Sequence, residues 1–147
     1  MTSLILVKHS APDIVASRPA AEWRLSSAGR ARCASLADRL RRFSTRSIAT
    51  SVEPKAVETA TLVGAHLGLP IEIVQGLHEH DRRNVTLLGE DAFRATIRLF
   101  FVAAHSGEDG FALWDQLGLP SLVVLTRPGR GQDLELRRVE AAIPGPD

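Results

Sequence analysis

The sequence has a single cysteine, almost no net charge and no long hydrophobic run near its start, and each shortage excludes a class of protein. Cys33 alone forms neither an internal disulfide nor a cysteine-rich zinc site, which fits a reducing compartment. Residues 4–7 are too short for a signal-peptide core or a membrane span. With 18 basic against 17 acidic residues, the chain lacks the positive surface of nucleic-acid-binding proteins. We therefore expect a cytoplasmic protein that binds neither membrane nor nucleic acid.

What the chain does have is the composition of one globular domain. Its 147 residues match the usual domain size, and the 44% that are apolar are enough to bury a core. No repeat, low-complexity tract or linker divides the sequence. We expect one domain that spans residues 1–147.

Predicted strands alternate with predicted helices along the chain. A helix is expected after a serine cap at Ser26 or Ser27, and a second from Pro54 to Gly68. The order β-α-β-α-β predicts an α/β fold of three layers, α/β/α, with a mostly parallel central sheet. Residues 93–104 fit either one helix or a helix followed by a strand at 99–102. The predicted strands are residues 4–7, 47–51, 71–74 and 121–125.

Four short motifs follow one another in the first 81 residues. They read LILVKHS at 4–10, LSSAGRAR at 25–32, TSVEPKAVETA at 50–60 and LHEHD at 77–81. In this order they resemble four segments of the histidine phosphatase superfamily, also called phosphoglycerate-mutase-like proteins. Those segments are a strand followed by Arg-His-Gly, Leu-Thr-x-x-Gly-x-x-Gln, Ser-Pro-x-x-Arg-Ala-x-x-Thr-Ala and Leu-x-Glu. The resemblance implies a phosphoglycerate-mutase-like fold.

The resemblance also implies a reaction, namely phosphoric monoester hydrolysis through a phosphohistidine on a small phosphorylated substrate. His9 would attack phosphorus, and Lys8 and Lys55 would bind the phosphoryl oxygens. Glu79 would protonate the departing alkoxide as the general acid. The scheme requires no metal and no cofactor.

The sequence departs from the family pattern at its cations and at its second histidine. Lysines stand at 8 and 55 where arginines are usual, and Ser10 replaces a glycine. His105, after the apolar residues 99–104, is one candidate for the second histidine. In a competing alignment that segment is missing, and the domain is internally shortened around residues 91–98. We favour the second alignment, because the interval between His105 and the strand at 121–125 is too short for the usual helix.

Three further hypotheses remain open at this point. A catalytically weak or inactive relative would bind phosphorylated ligands or a protein partner. A metallohydrolase would use His78, His80 and Asp81, although their spacing fits no metal motif. A homodimer is the third hypothesis, because a shortened sheet would offer an uncovered edge to a second copy.

Overall fold

The structure, a computed structural model, describes residues 2–78, 87–103, 107–132, 135–140 and 142–144. The strands are β1 (Thr2–Lys8), β2 (Ile48–Thr50), β3 (Ile71–Ile73), β4 (Ser121–Arg127) and β5 (Glu135–Glu140). The helices are α1 (Ser27–Leu40), α2 (Pro54–Leu67), α3 (Glu90–Ala103) and α4 (Gly107–Gln116). Short 3₁₀ turns occupy Ala20–Glu22 and Arg41–Phe43.

The start of α1 and both ends of α2 lie where the sequence predicts them. Ser26 precedes α1 with extended backbone, and its hydroxyl accepts a hydrogen bond from the N–H of Gly29 at 3.0 Å. Helix α2 begins at Pro54 and ends before Gly68, whose φ of 67° lies in the left-handed region that favours glycine. These end signals place both helices beside the segment that carries His9.

The prediction of a mostly parallel central sheet is wrong. The main sheet has the order β1-β4-β5, and both of its pairings are antiparallel. Among the strands that the structure describes, only β2 and β3 are parallel, and they form a separate pair. The apolar runs at 4–7 and 121–125 indicate strands but not their direction. The chain enters β4 at Ser121 opposite Lys8, the last residue of β1, and therefore runs back along that strand.

The hydrophobic core joins α1 and α2 to one face of the antiparallel sheet. Leu122 and Val124 alternate along β4 and pack with Leu36 of α1 and Val63 of α2. Ile5 of β1, which is opposite Val124, packs against the same cluster. The core thus holds both helices against the sheet near the carboxyl end of β1. His9 is the residue that follows this end.

The segment whose structure the sequence left undecided is helical. Helix α3 runs from Glu90 to Ala103, so the alternative of a strand at residues 99–102 is wrong. Helix α3 packs on α4 through an ion pair of 2.8 Å between Arg94 and Asp115. No helix in the described ranges is long and apolar enough to cross a membrane.

Candidate active site

His9 directly follows β1, and the adjacent backbone orients its imidazole. Its Nδ1 lies 2.7 Å from the carbonyl oxygen of Ser10. Because a carbonyl oxygen only accepts hydrogen bonds, Nδ1 carries the proton, and in the neutral ring the lone pair is on Nε2. The side chain is half-buried. The geometry therefore leaves the lone pair of the neutral imidazole on Nε2.

Ser10 is completely buried and is held by both helices that flank it. Its N–H donates to Oγ1 of Thr59 on α2 at 3.0 Å. Its hydroxyl donates to the carbonyl oxygen of Gly29 on α1 at 2.7 Å. The residue after the candidate nucleophile is thus fastened on two sides, at a position where the resemblance leads one to expect glycine.

The next residues of the loop are fastened to the segment that leads into α1. The carbonyl oxygen of Ala11 accepts from both the N–H and the hydroxyl of Ser26, each at 3.1 Å. The N–H of Asp13 donates to the carbonyl of Arg24 at 2.8 Å. Together these bonds hold residues 10–13 in one conformation beside His9.

Lys55 lies in the first turn of α2 and is only 2% exposed. Its Nζ donates to the carbonyl oxygen of Ala20 at 3.0 Å and lies 3.7 Å from a carboxylate oxygen of Glu53. One turn further on, Thr59 makes the contact with Ser10. The structure therefore brings the start of α2, with its buried cation, to the loop that carries His9.

Lys8 precedes His9, and its ammonium group contacts α4. Its Nζ donates to the carbonyl oxygen of Leu117 at 3.1 Å and lies 4.7 Å from the ring centroid of Trp114. The second distance is within the range of a cation–π interaction. The two lysines that the resemblance assigns to phosphate thus have different contacts, Lys8 with Trp114 and Leu117, and Lys55 with Ala20 and Glu53.

The remaining sequence-predicted site residues fall largely outside the described part of the chain. Glu79, His105, His80 and Asp81 all lie outside it, whereas His78 is described and is exposed. Within the ranges that the structure describes, no three histidine, cysteine, aspartate or glutamate side chains come together as a metal site would require.

Sequence reasoning missed Glu58, which ties the segment before α1 to α2. Its carboxylate accepts from the N–H of Leu25 at 2.9 Å and pairs with Arg24 at 2.7 Å and Arg30 at 3.0 Å. Burial raises the pKa of this carboxyl, but the Leu25 N–H and the two guanidinium groups outweigh it, so the pKa lies below its ordinary value. Glu58 and Thr59 both lie in the 50–60 motif, about one helical turn after Lys55. This position in the motif could have marked them as candidate functional residues.

The comparison with protein families agrees with this arrangement of motifs. The chain matches the model of the histidine phosphatase superfamily (branch 1) over residues 4–117. This span covers most of the chain, so the protein belongs to that superfamily. No curated protein matches the sequence.

Solved structures with the same fold include several bacterial phosphatases. A protein assigned as the phosphohistidine phosphatase SixA of Agrobacterium tumefaciens is 18% identical, with a TM-score of 0.62 and coverage of 96% of this chain and 98% of that one. The mycobacterial glucosyl-3-phosphoglycerate phosphatase solved with VO3 is 18% identical, with a TM-score of 0.57 and coverage of 92% and 96%. At these identities the likeness establishes the fold alone.

Proposed function

We propose that this chain is a phosphoric monoester hydrolase that acts on a small phosphorylated substrate through a phosphohistidine at His9. The observation that carries the proposal is the 2.7 Å bond between Nδ1 of His9 and the carbonyl of Ser10. This bond sets the tautomer that an in-line attack by Nε2 requires. Membership of the histidine phosphatase superfamily supports the same reaction.

The reaction has two steps, each of which starts with a nucleophile at phosphorus. In the first step Nε2 of His9 forms a bond to phosphorus while the bond to the ester oxygen breaks, and Glu79 supplies the proton that the departing alkoxide takes. In the second step water gives a proton to the Glu79 carboxylate as it attacks the phosphohistidine, the P–N bond breaks, and inorganic phosphate leaves, so that Glu79 is again protonated. His9 returns to its starting state.

Lys55 is our candidate for the cation that stabilises the transferred phosphoryl group. Its burial strengthens its field, because a charge in a site shielded from water is screened less than one in solvent. It also lies in the first turn of α2, where the positive end of the helix dipole favours a neighbouring anion. Charge and helix end therefore act in the same direction.

Initial rates of hydrolysis of an aryl phosphate, measured in excess chelator, test the proposal. His9→Ala should abolish turnover, whereas His66→Ala, an exposed histidine on α2, should leave it unchanged. Enzyme quenched in alkaline denaturant should carry a phosphoryl group that is stable in base and labile in acid, as a phosphohistidine is. Turnover that survives His9→Ala, or that chelator removes, contradicts the proposal.

The role of Glu79 is tested by varying the leaving group. An aryl oxide departs readily without a proton, whereas an alkoxide needs one. Glu79→Gln should therefore slow hydrolysis of an alkyl phosphate by about 10²–10⁴-fold and that of a nitrophenyl phosphate much less. Equal effects on both substrates would exclude Glu79 as the general acid.

A second candidate function, a relative that binds phosphorylated ligands or a protein partner without turnover, is favoured by one observation. Residues 90–103 are a helix, whereas one of the two alignments requires a strand before a second histidine at 105. The His105→Ala substitution tests whether this histidine takes part in turnover. If it abolishes turnover together with His9→Ala, two histidines act. Folded wild-type protein that binds orthovanadate but turns over no phosphomonoester would establish the binding function instead.

A further inference from the structure

We infer that the hydroxyl groups of Thr59 and Ser10 are positioning groups for His9, because together they fix the carbonyl that selects its tautomer. Neither hydroxyl takes part in the reaction itself. The inference rests on the phosphatase function proposed above, since the direction of Nε2 affects a rate only if Nε2 attacks the substrate. It also predicts a spectroscopic property of the resting protein that does not depend on turnover.

The hydroxyl of Thr59 joins two backbone groups in a fixed direction. It donates its proton to the carbonyl of Lys55 at 2.8 Å, four residues earlier in α2. A hydroxyl has one proton, so its contact with the N–H of Ser10 at 3.0 Å uses an oxygen lone pair. The residue is 5% exposed, so solvent competes little for these bonds. Thr59 therefore orients the peptide N–H that precedes the critical carbonyl.

The hydroxyl of Ser10 holds the same residue from the opposite side. It donates to the carbonyl of Gly29 on α1 at 2.7 Å and is fully buried. With its N–H bound to α2 and its hydroxyl bound to α1, Ser10 has little freedom to rotate. Its carbonyl is thereby aimed at Nδ1 of His9. A glycine at this position would lack the second bond and would have the greatest backbone freedom of any residue.

The same contact relates His9 to the buried cation. Lys55 and Thr59 are separated by four residues, so their side chains lie on one face of α2, one turn apart. The bond from Ser10 to Thr59 thus fixes the His9 loop along the helix axis relative to Lys55. A shift of this loop would change the imidazole and the distance between nucleophile and cation together.

The experiment compares Thr59→Val with Thr59→Ser, Ser10→Ala and a matched control, Thr61→Val, an exposed threonine on the same helix. Nitrogen NMR of imidazole-labelled protein in alkaline buffer reports which ring nitrogen carries the proton, and His9→Ala assigns the signal. Wild type should show His9 protonated on Nδ1. Thr59→Val should shift the signal toward the other tautomer and lower kcat by about 10- to 100-fold. Ser10→Ala should shift it in the same direction.

The conservative and control variants separate positioning from stability. Thr59→Ser keeps the hydroxyl and should restore the wild-type signal, and Thr61→Val should not change it. Should Thr59→Val fail to fold, the contrast of Ser10→Ala with Thr59→Ser and wild type decides the question. An unchanged tautomer in Ser10→Ala and in folded Thr59→Val overturns the inference. If wild type shows no turnover, the proposed function fails. The positioning of His9 still stands in that case if Thr59→Val and Ser10→Ala shift the tautomer.

Discussion

Gly29 lies so close to Ala11 that no side chain fits between them. A Cβ atom added to Gly29 would overlap the carbonyl oxygen of Ala11, which also accepts two hydrogen bonds from Ser26. The first turn of α1 therefore packs directly on the backbone that follows His9. This contact explains why the glycine of the 25–32 motif is required at this position, and it links the stability of α1 to the shape of the candidate active site.

Gly29→Ala should lower both stability and activity. The added methyl must displace the backbone of Ala11, and such overpacking costs about 1–3 kcal/mol. Denaturant unfolding measures the change in the free energy of unfolding. Gly89→Ala is the matched control, because nothing lies within 4 Å of a Cβ added there. Equal stability of the two variants would show that the loop at Ala11 yields without cost.

Lys55→Met should separate the role of the buried cation from its packing. Methionine has a similar length, so the core should tolerate it better than alanine, whereas the charge is lost. We expect kcat for an aryl phosphate to fall by about 10²–10³-fold, as when one donor to a developing oxyanion is removed. Lys55→Arg, which keeps the charge, should retain more activity. If Lys8→Met proves the more damaging substitution, Lys8 and not Lys55 is the principal phosphate cation.

The sequence predicted the helix ends better than it predicted the sheet. Ser26, Pro54 and Gly68 are end signals that act within one helical turn, so the helix limits follow from them directly. The direction of β4 depends on where α3 and α4 return the chain, which no local pattern encodes. A continuous apolar run is equally compatible with a parallel and an antiparallel neighbour.

The candidate site shows the same difference between local patterns, which the sequence reveals, and long-range contacts, which it does not. His9 and Lys55 could be selected because reactive residue types stood in recognisable motifs at a strand end and a helix start. The groups that orient them, such as Thr59 and Glu58, act through backbone atoms of residues far away in the sequence. Only the packing of α2 against the loop brings these pairs together. Their identity alone did not reveal what they contact.

The Cys33 thiol should be unreactive in the folded protein. It is fully buried and lies 3.4 Å from the carbonyl of Gly29. Burial raises its pKa, an effect that outweighs its contact with Ser10, so little of the reactive thiolate is present near neutral pH. An aromatic disulfide reagent should label Cys33 slowly in native protein and rapidly in denaturant. Fast labelling of native protein would show that the core around α1 opens readily.

The carboxylate of Glu58 should make stability depend on pH in the acid range. The N–H of Leu25 and the guanidinium groups of Arg24 and Arg30 together outweigh burial and hold its pKa below the ordinary value of 4.5. In the unfolded chain the carboxyl regains that ordinary value. Between the two pKa values the unfolded state binds more protons than the native state, so the stabilisation is present above pH 4.5 and is lost as pH falls through the folded pKa.

Glu58→Gln tests this assignment, because glutamine keeps an oxygen for the Leu25 N–H but carries no charge. Free energies of unfolding measured from neutral to acid pH should show wild type more stable at neutral pH and the two proteins converging in acid. Glu72→Gln, at an exposed position on β3, should run parallel to wild type throughout. A constant difference between wild type and Glu58→Gln at every pH would mean that the charge does not carry the stabilisation. Convergence would instead show that the charge of Glu58, which pairs with Arg24 and Arg30, stabilises the fold at neutral pH.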